Sequence, residues 1–182
     1  MPSPSKPFDI LSQIARQSVA MASGLPQQDQ AVELWNGIGF TIGSTHFVAA
    51  MGTVSELLHL PKYTAVPGVK SWMQGIANVR GRLLPIMDLG RFFELAYSAS
   101  KHREKRVLVV EHGEALSGII VDGVMGMQYF SSDSFTKKVK GKLAASIKPY
   151  VKGAYMKGDI EWVVFDTAAL TSDDKFLDVA LS

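Results

Sequence analysis

Along most of the chain the apolar residues come in short runs, many alternating with polar ones and punctuated by Gly, Asp, Asn and Ser, which is the pattern of half-buried strands joined by turns. Leu34–Ile42 and His46–Met51 flank Gly43-Ser44-Thr45, a hairpin turn, and Val54–Leu60 follows and ends at Pro61. The stretch 61–71 carries two prolines and one glycine and reads as an irregular loop, with Trp72–Gln74 as a single helical turn behind it. Gly75–Val79 and Leu83–Met87 then enclose Arg80-Gly81-Arg82. Glycine takes positive φ without penalty, so Gly81 is the turn-forming residue of a tight hairpin that displays two arginines. Beyond it the pattern predicts strands at Arg106–Glu111, Ala115–Val121, Val124–Phe130, Tyr150–Met156 and Ile160–Phe165.

Two departures from the strand period stand out. Phe8, Leu11, Ile14, Val19 and Ala22 recur at helical spacing and stop at Gly24-Leu25-Pro26, which predicts a short amphipathic helix over Phe8–Ala22. It caps the domain's own core or docks on a partner. Residues 26–33 are polar and read as a linker, so 1–33 is an N-terminal extension and 171–182 a C-terminal tail. Asp88 and Asp166 each precede a helical stretch as candidate N-caps. The polar stretch 97–105 marks the expected division between two lobes, and at least nine short strands without a βαβ rhythm make the protein mainly β, a barrel or sandwich.

Composition narrows the chemistry. The 182 residues are 47% hydrophobic and 20% charged with a formal charge of +2, ordinary for a globular chain and far from a strongly basic nucleic-acid binder. There is no cysteine, which excludes disulfides, thiolate metal sites and cysteine nucleophiles. No segment approaches the ~18 consecutive apolar residues of a membrane span, and the first two dozen residues lack a secretory pattern, so a cytoplasmic protein without membrane insertion is expected.

Enzyme signatures are missing. His46, His59, His102 and His112 are scattered without metal-ligand spacing, Gly141-Lys142 is followed by Leu143 and is no phosphate loop, and Asp88, Asp122 and Asp166 sit where carboxylates cap turns. No catalytic residue, metal or cofactor is expected. One alternative uses Lys137, Lys138, Lys140, Lys142, Lys148 and Lys152 with Tyr150 and Tyr155: a small β-barrel nucleic-acid binder. The other is a non-enzymatic adaptor. In Val54–Leu60 the period of two places Val54, Glu56 and Leu58 on one face, and a glutamate on a largely apolar face needs a partner or a rim position. Arg80 supplies that partner if the two strand ends meet.

Val54-Ser55-Glu56-Leu57, then Gly75-Ile76-Ala77-Asn78-Val79-Arg80-Gly81, Pro85-Ile86-Met87-Asp88-Leu89 and Gly118-Ile119-Ile120-Val121-Asp122-Gly123-Val124, in this order, resemble the CheW family of chemotaxis coupling proteins over about residues 34–170. With the N-terminal extension the chain is similar to PilI-type adaptors of the type IV pilus, or twitching, pathway. The resemblance implies two small five-stranded SH3-like β-barrels packed together, with a few short helices. It also implies no chemistry of the protein's own, and two partners: the cytoplasmic tip of a methyl-accepting chemoreceptor and the regulatory domain of a CheA-like histidine kinase. Recruitment to membrane-associated receptor arrays follows from those partners. Carried over residue by residue, it implies a receptor groove of Val54, Glu56, Gly75, Asn78, Arg80, Gly118 and Met127. Arg82 matches no fixed family position and reads as solvated.

Overall fold

The alternating segments do form strands, and these pair into two six-stranded sheets. The computed structural model describes residues 11–12, 14–18, 34–95, 105–112 and 115–181. In the N-terminal unit the described residues are helical, and Leu11 and Ile14 are exposed. The rest of the Phe8–Ala22 helix and the 26–33 linker lie outside the described residues.

In the main unit, sheet A runs β10 (Phe135–Thr136), β11 (Val151–Lys157), β12 (Ile160–Phe165), β2 (Thr45–Ala50), β1 (Leu34–Ile42), β9 (Gly123–Ser131). Sheet B runs β3 (Val54–His59), β7 (Arg106–His112), β8 (Ala115–Val121), β6 (Arg82–Asp88), β5 (Met73–Val79), β4 (Tyr63–Thr64). Neighbours pair antiparallel except β12 with β2 and β6 with β8, which are parallel. Each sheet is thus five full strands plus a two-residue strand at one edge, six rather than the five expected. The short strands escape a pattern search because β4 lies in the proline-bearing loop and β10 beside the lysines.

Both sheets are strongly curled, by a simple length argument. Laid flat, six strands span about 24 Å between their edges. Yet residues 60–62 alone join β3 to β4, which lie at opposite edges of sheet B. Four virtual bonds reach at most ~14 Å, so the edges must bend toward each other. The 3-10 turn Ser132–Ser134 does the same between β9 and β10 in sheet A. The two sheets share one connectivity, with β3–β8 in the second repeating the order of β9–β12 and β1–β2 in the first.

That order corrects the expected lobe division. The strands on either side of 97–105, β6 and β7, both belong to sheet B. The chain changes sheets between β2 and β3 and again between β8 and β9, at Met51–Thr53 and Asp122. Composition marked a polar connector, not a boundary. Trp72–Gln74 is corrected as well, since Met73 opens strand β5.

Three cores follow from the curl. Val48, Phe130, Tyr155, Trp162 and Val164 fill the inside of sheet A; Ala77, Leu84, Ile86, Val107, Val109 and Ile120 fill sheet B. Between the sheets lies the largest core, where Phe40, Phe47 and Phe165 meet Met87, Leu108 and Ile119. Short helices α1 (Leu89–Phe92), α2 (Thr167–Thr171) and α3 (Asp174–Leu177) close it. Asp88 and Asp166 cap the first two, accepting from the amides of Arg91 and Ala169, and Asp122 accepts from Gly43 N at 2.7 Å, tying the end of β8 to the β1–β2 turn.

The C-terminal residues are part of this core rather than a tail. Phe176 is fully buried against Phe92, a burial worth roughly 1.5–3 kcal/mol. Beyond it Ala180 pairs with Val69, and Lys70 bonds both Val179 O and the Asp178 carboxylate.

Candidate functional site

Hairpin β5–β6 turns through Arg80 and Gly81, with φ of 52° and 82° respectively. Two central residues at positive φ define a type I′ turn, whose twist matches that of the strands it joins. Gly81 adopts this freely; Arg80, with a Cβ, does so at a cost of order 1 kcal/mol. Asn78 helps hold the turn, its Oδ1 accepting from Gly81 N at 2.9 Å. The left-handed backbone sets the direction in which the Arg80 side chain leaves the hairpin.

The guanidinium meets Glu56 at 2.7 Å. Glu56 lies on β3 at one edge of sheet B and Arg80 at the tip of a hairpin near the other, so the pair spans the mouth of the curl. The Arg80 side chain is 78% exposed and that of Glu56 30%, which places the bridge at a rim. At such exposure a pair contributes about 0–1 kcal/mol, so its geometry matters more than its strength.

Under the bridge is a groove of about 210 Å³. Its floor is Leu84, Val109, Leu116 and Val79, the outer end of the sheet B core. Its banks carry Arg82, Glu111 and Ser55 beside the Arg80–Glu56 pair. Arg82, read from the sequence as merely solvated, lines this groove. Arg82 and Glu111 make no ion pair with any described residue.

A β-bulge rearranges the expectation for β3. Val54 pairs with Val110 and Glu56 with Val109, so Ser55 is an extra residue, and its hydroxyl donates to Val109 O at 3.2 Å. The bulge turns Val54 to the inter-sheet core while Glu56 and Leu58 stay on the sheet B core side. The two residues therefore do not share a face. A bulge leaves no mark in an alternation count.

The remaining expected groove residues support the site from elsewhere. Gly75 sits at a bulge in β5, where a Cβ would strike the carbonyl oxygen of Thr64, so the glycine lets β4 pack against β5. Gly118 is buried on β8 with Ile86, Leu84 and Val107 over its Cα, beneath the groove floor. Met127 lies on β9 of sheet A, 42% exposed, and its sulfur accepts from the Tyr129 hydroxyl. It is not among the groove's lining residues. The structure thus brings Glu56 and Arg80 into the groove, places Asn78, Gly75 and Gly118 around it, and separates Val54 and Met127 from it.

The equivalent mouth of sheet A is filled. Trp162 takes the register position of Leu84, and Trp35, Phe130 and Tyr155 stack beside it. A bond from Lys157 Nζ to Gln128 Oε1 joins edge strand β9 to the end of β11, in the place that Arg80–Glu56 holds in sheet B. Burial raises the Tyr155 hydroxyl above its ordinary range. Aliphatic side chains leave the mouth of sheet B open, where aromatic ones occupy the equivalent position in sheet A.

No cluster of three or more His, Asp or Glu among the described residues is disposed to hold a metal, and no described helix is long and apolar enough to cross a membrane. In the lysine-rich stretch Lys152 pairs with Asp166, and Glu161 accepts from the amides of Lys140 and Gly141, which places negative charge within it.

Two curled sheets, each repeating the other's connectivity, and one ion-pair-bridged groove describe a binding module. Its residues 36–175 match the model of the CheW-like domain, and the chain belongs to that family. It is 47% identical to Protein PilI of Pseudomonas aeruginosa over 96% of this chain and 97% of that one. It is also 29% identical to the chemotaxis protein CheW of Helicobacter pylori, over 56% of this chain and 61% of the relative. The fold is shared with the crystal structure of the scaffolding protein TtCheW from Thermoanaerobacter tengcongensis, at a TM-score of 0.68 and 19% identity, covering 79% of this chain and 96% of that one.

Proposed function

We propose that this protein is a non-enzymatic adaptor that couples the cytoplasmic tip of a methyl-accepting chemoreceptor to the regulatory domain of a CheA-like histidine kinase, in the pathway that controls type IV pilus twitching motility. It works from the cytoplasm and is recruited to membrane-associated receptor arrays. The observation that carries the reading is the groove bridged by Arg80 and Glu56. It is apolar below and charged at the rim, and its volume lies below the ~300–1,000 Å³ of small-molecule sites. Membership of the CheW-like family and near full-length likeness to PilI support the adaptor role and the pilus assignment. An adaptor needs a docking surface held by a rigid frame, and the type I′ turn over a packed core provides one.

The test is co-purification of tagged full-length protein with receptor and kinase from the native host, with receptor-dependent kinase activity as readout. Arg80→Glu and Glu56→Arg each weaken receptor capture and kinase control, and the double exchange partly restores both. Wild-type capture and control in both single variants would remove the groove from the receptor interface.

A further inference from the structure

A second cavity, of about 300 Å³, lies at the end of sheet A away from the β11–β12 turn. Trp35 near the start of β1, Lys152 near the start of β11 and Asp166 just past β12 line it, with Phe135 of β10 and Tyr155 of β11. Tyr155 stacks on Trp35 at 4.9 Å and meets Phe135 at 5.2 Å, so the aromatic walls brace one another. The ion pair Lys152–Asp166, at 3.0 Å, adds charge to this lining. Each oxygen of Asp166 has a partner already, one in Lys152 and the other in the amide of Ala169 that it caps. Lys152 is 61% exposed and spends only one of the three donors of an ammonium on a described residue. Tyr155 is 5% exposed, yet neither its hydroxyl nor the Trp35 indole N–H bonds a described residue. A water occupies about 30 Å³ in the liquid, so the cavity has room for about ten heavy atoms. Both that volume and an aromatic lining with few polar groups fit the small end of small-molecule sites, ~300 Å³.

We propose that this cavity binds a small aromatic carboxylic acid, one ring with a short acid arm. The ring packs among Trp35, Tyr155 and Phe135, and the carboxylate accepts from the ammonium of Lys152. The unused hydrogen-bonding capacity sets the sign of the ligand. What the lining leaves over are donors, on Lys152, Trp35 and Tyr155, and an acceptor satisfies them. An amine brings a second cation to Lys152 and finds the Asp166 oxygens already partnered, so it is disfavoured twice. The aromatic walls are packed before any ligand arrives, which keeps the ordering cost of binding low. This cavity belongs to sheet A and the Arg80–Glu56 groove to sheet B, so the acid and a groove-bound partner occupy different places.

The test titrates the full-length chain with phenylacetate, 2-phenylethylamine and acetate, reading the Trp35 indole and Lys152 amide resonances by two-dimensional NMR. Phenylacetate is expected to shift both with a Kd of about 1 mM or below. The amine, and acetate without its ring, are expected to bind at least about tenfold more weakly. Lys152→Met is expected to weaken phenylacetate about tenfold and to erase the preference for acid over amine. Ala168 is an exposed lining residue, so Ala168→Leu fills the cavity and is expected to abolish binding with an unchanged melting temperature. Equal affinity for acid and amine overturns the charge assignment, and wild-type affinity in Ala168→Leu overturns the site. The absence of a saturable shift at Trp35 at about ten times the expected Kd overturns the proposal outright. A short peptide ending in phenylalanine carries the same ring and carboxylate; if it binds more tightly than phenylacetate, the site takes a chain terminus and the small-molecule reading falls.

Discussion

Arg80 and Glu56 lie 2.7 Å apart although their strands stand near opposite edges of one sheet, so a single ion pair spans the mouth of the curl. Its exposure limits what it adds to stability, about 0–1 kcal/mol. Arg80→Glu and Glu56→Arg are therefore expected to lower the unfolding free energy by no more than about 1 kcal/mol each while impairing partner coupling. Urea unfolding run beside the co-purification assay checks this. A loss of several kcal/mol would mean that the bridge holds the fold rather than the rim.

The turn itself separates two neighbouring residues. Gly81 at φ 82° tolerates no β-branched side chain, and Gly81→Val is expected to cost about 1–3 kcal/mol. Arg80→Gly relieves the strain at φ 52° while losing the ion pair, and should leave stability within about 1 kcal/mol of wild type. Partner capture should drop in Arg80→Gly despite the intact fold. Equal destabilisation by the two changes would contradict the type I′ assignment.

Gly75 and Gly118 are both tightly packed, but against different matter. A Cβ on Gly75 meets the backbone of Thr64, which cannot rotate away; one on Gly118 meets the side-chain ends of Ile86, Leu84 and Val107. Gly75→Ala is expected to cost about 2–4 kcal/mol and to free β4, read as faster amide exchange at Tyr63 and Thr64. Gly118→Ala should cost less, about 1–2 kcal/mol, and disturb the groove floor through Leu84.

Stability should fall at both ends of the pH scale through one contact. The hydroxyl of Tyr150 donates to the Asp173 carboxylate at 2.5 Å. Asp173 is held below the usual carboxylate range by that bond and by the Lys175 amide. A depressed carboxylate contributes stability above its unfolded value near 4, and this is lost as pH falls through the folded value. Burial, with Asp173 beside it, pushes the Tyr150 hydroxyl well above 10. A raised tyrosine contributes stability that is complete below about pH 10 and lost as pH rises toward the folded value. Tyr150→Phe should flatten the alkaline limb and shift the acid limb, checked by melting temperatures across pH 3–11 (about a unit beyond each unfolded value). An unchanged alkaline limb would remove Tyr150 from that role.

The sheet pattern and the two-arginine hairpin were legible because alternation and turn glycines are local signals, and Asp88 and Asp166 cap helices as their positions indicate. The Arg80–Glu56 contact was legible from burial logic, since a glutamate among apolar neighbours needs a cation. Long-range geometry was not. The bulge at Ser55 turns Val54 away from Glu56, and the nested strand order moves Met127 to the other sheet. Arg82 looked solvated because nothing in its own segment shows that Glu111 and Leu116 come round to face the same groove. Phe176 lies in an acidic, tail-like stretch, and only the packing of Phe92 and Tyr150 around that end of the chain explains its burial.

Nesting one sheet within the sequence of the other orders events on the ribosome. All six strands of sheet B are consecutive, so it completes as soon as β8 emerges. Hairpin β1–β2 emerges first yet stays without neighbours until β9 arrives for one side and β12 for the other. At about 5–20 residues per second, that leaves its two flanks open for several seconds to tens of seconds. The first hairpin made is thus among the last to be enclosed, and nascent chains of this protein should depend on chaperones most while β1 and β2 wait for the far end of the chain.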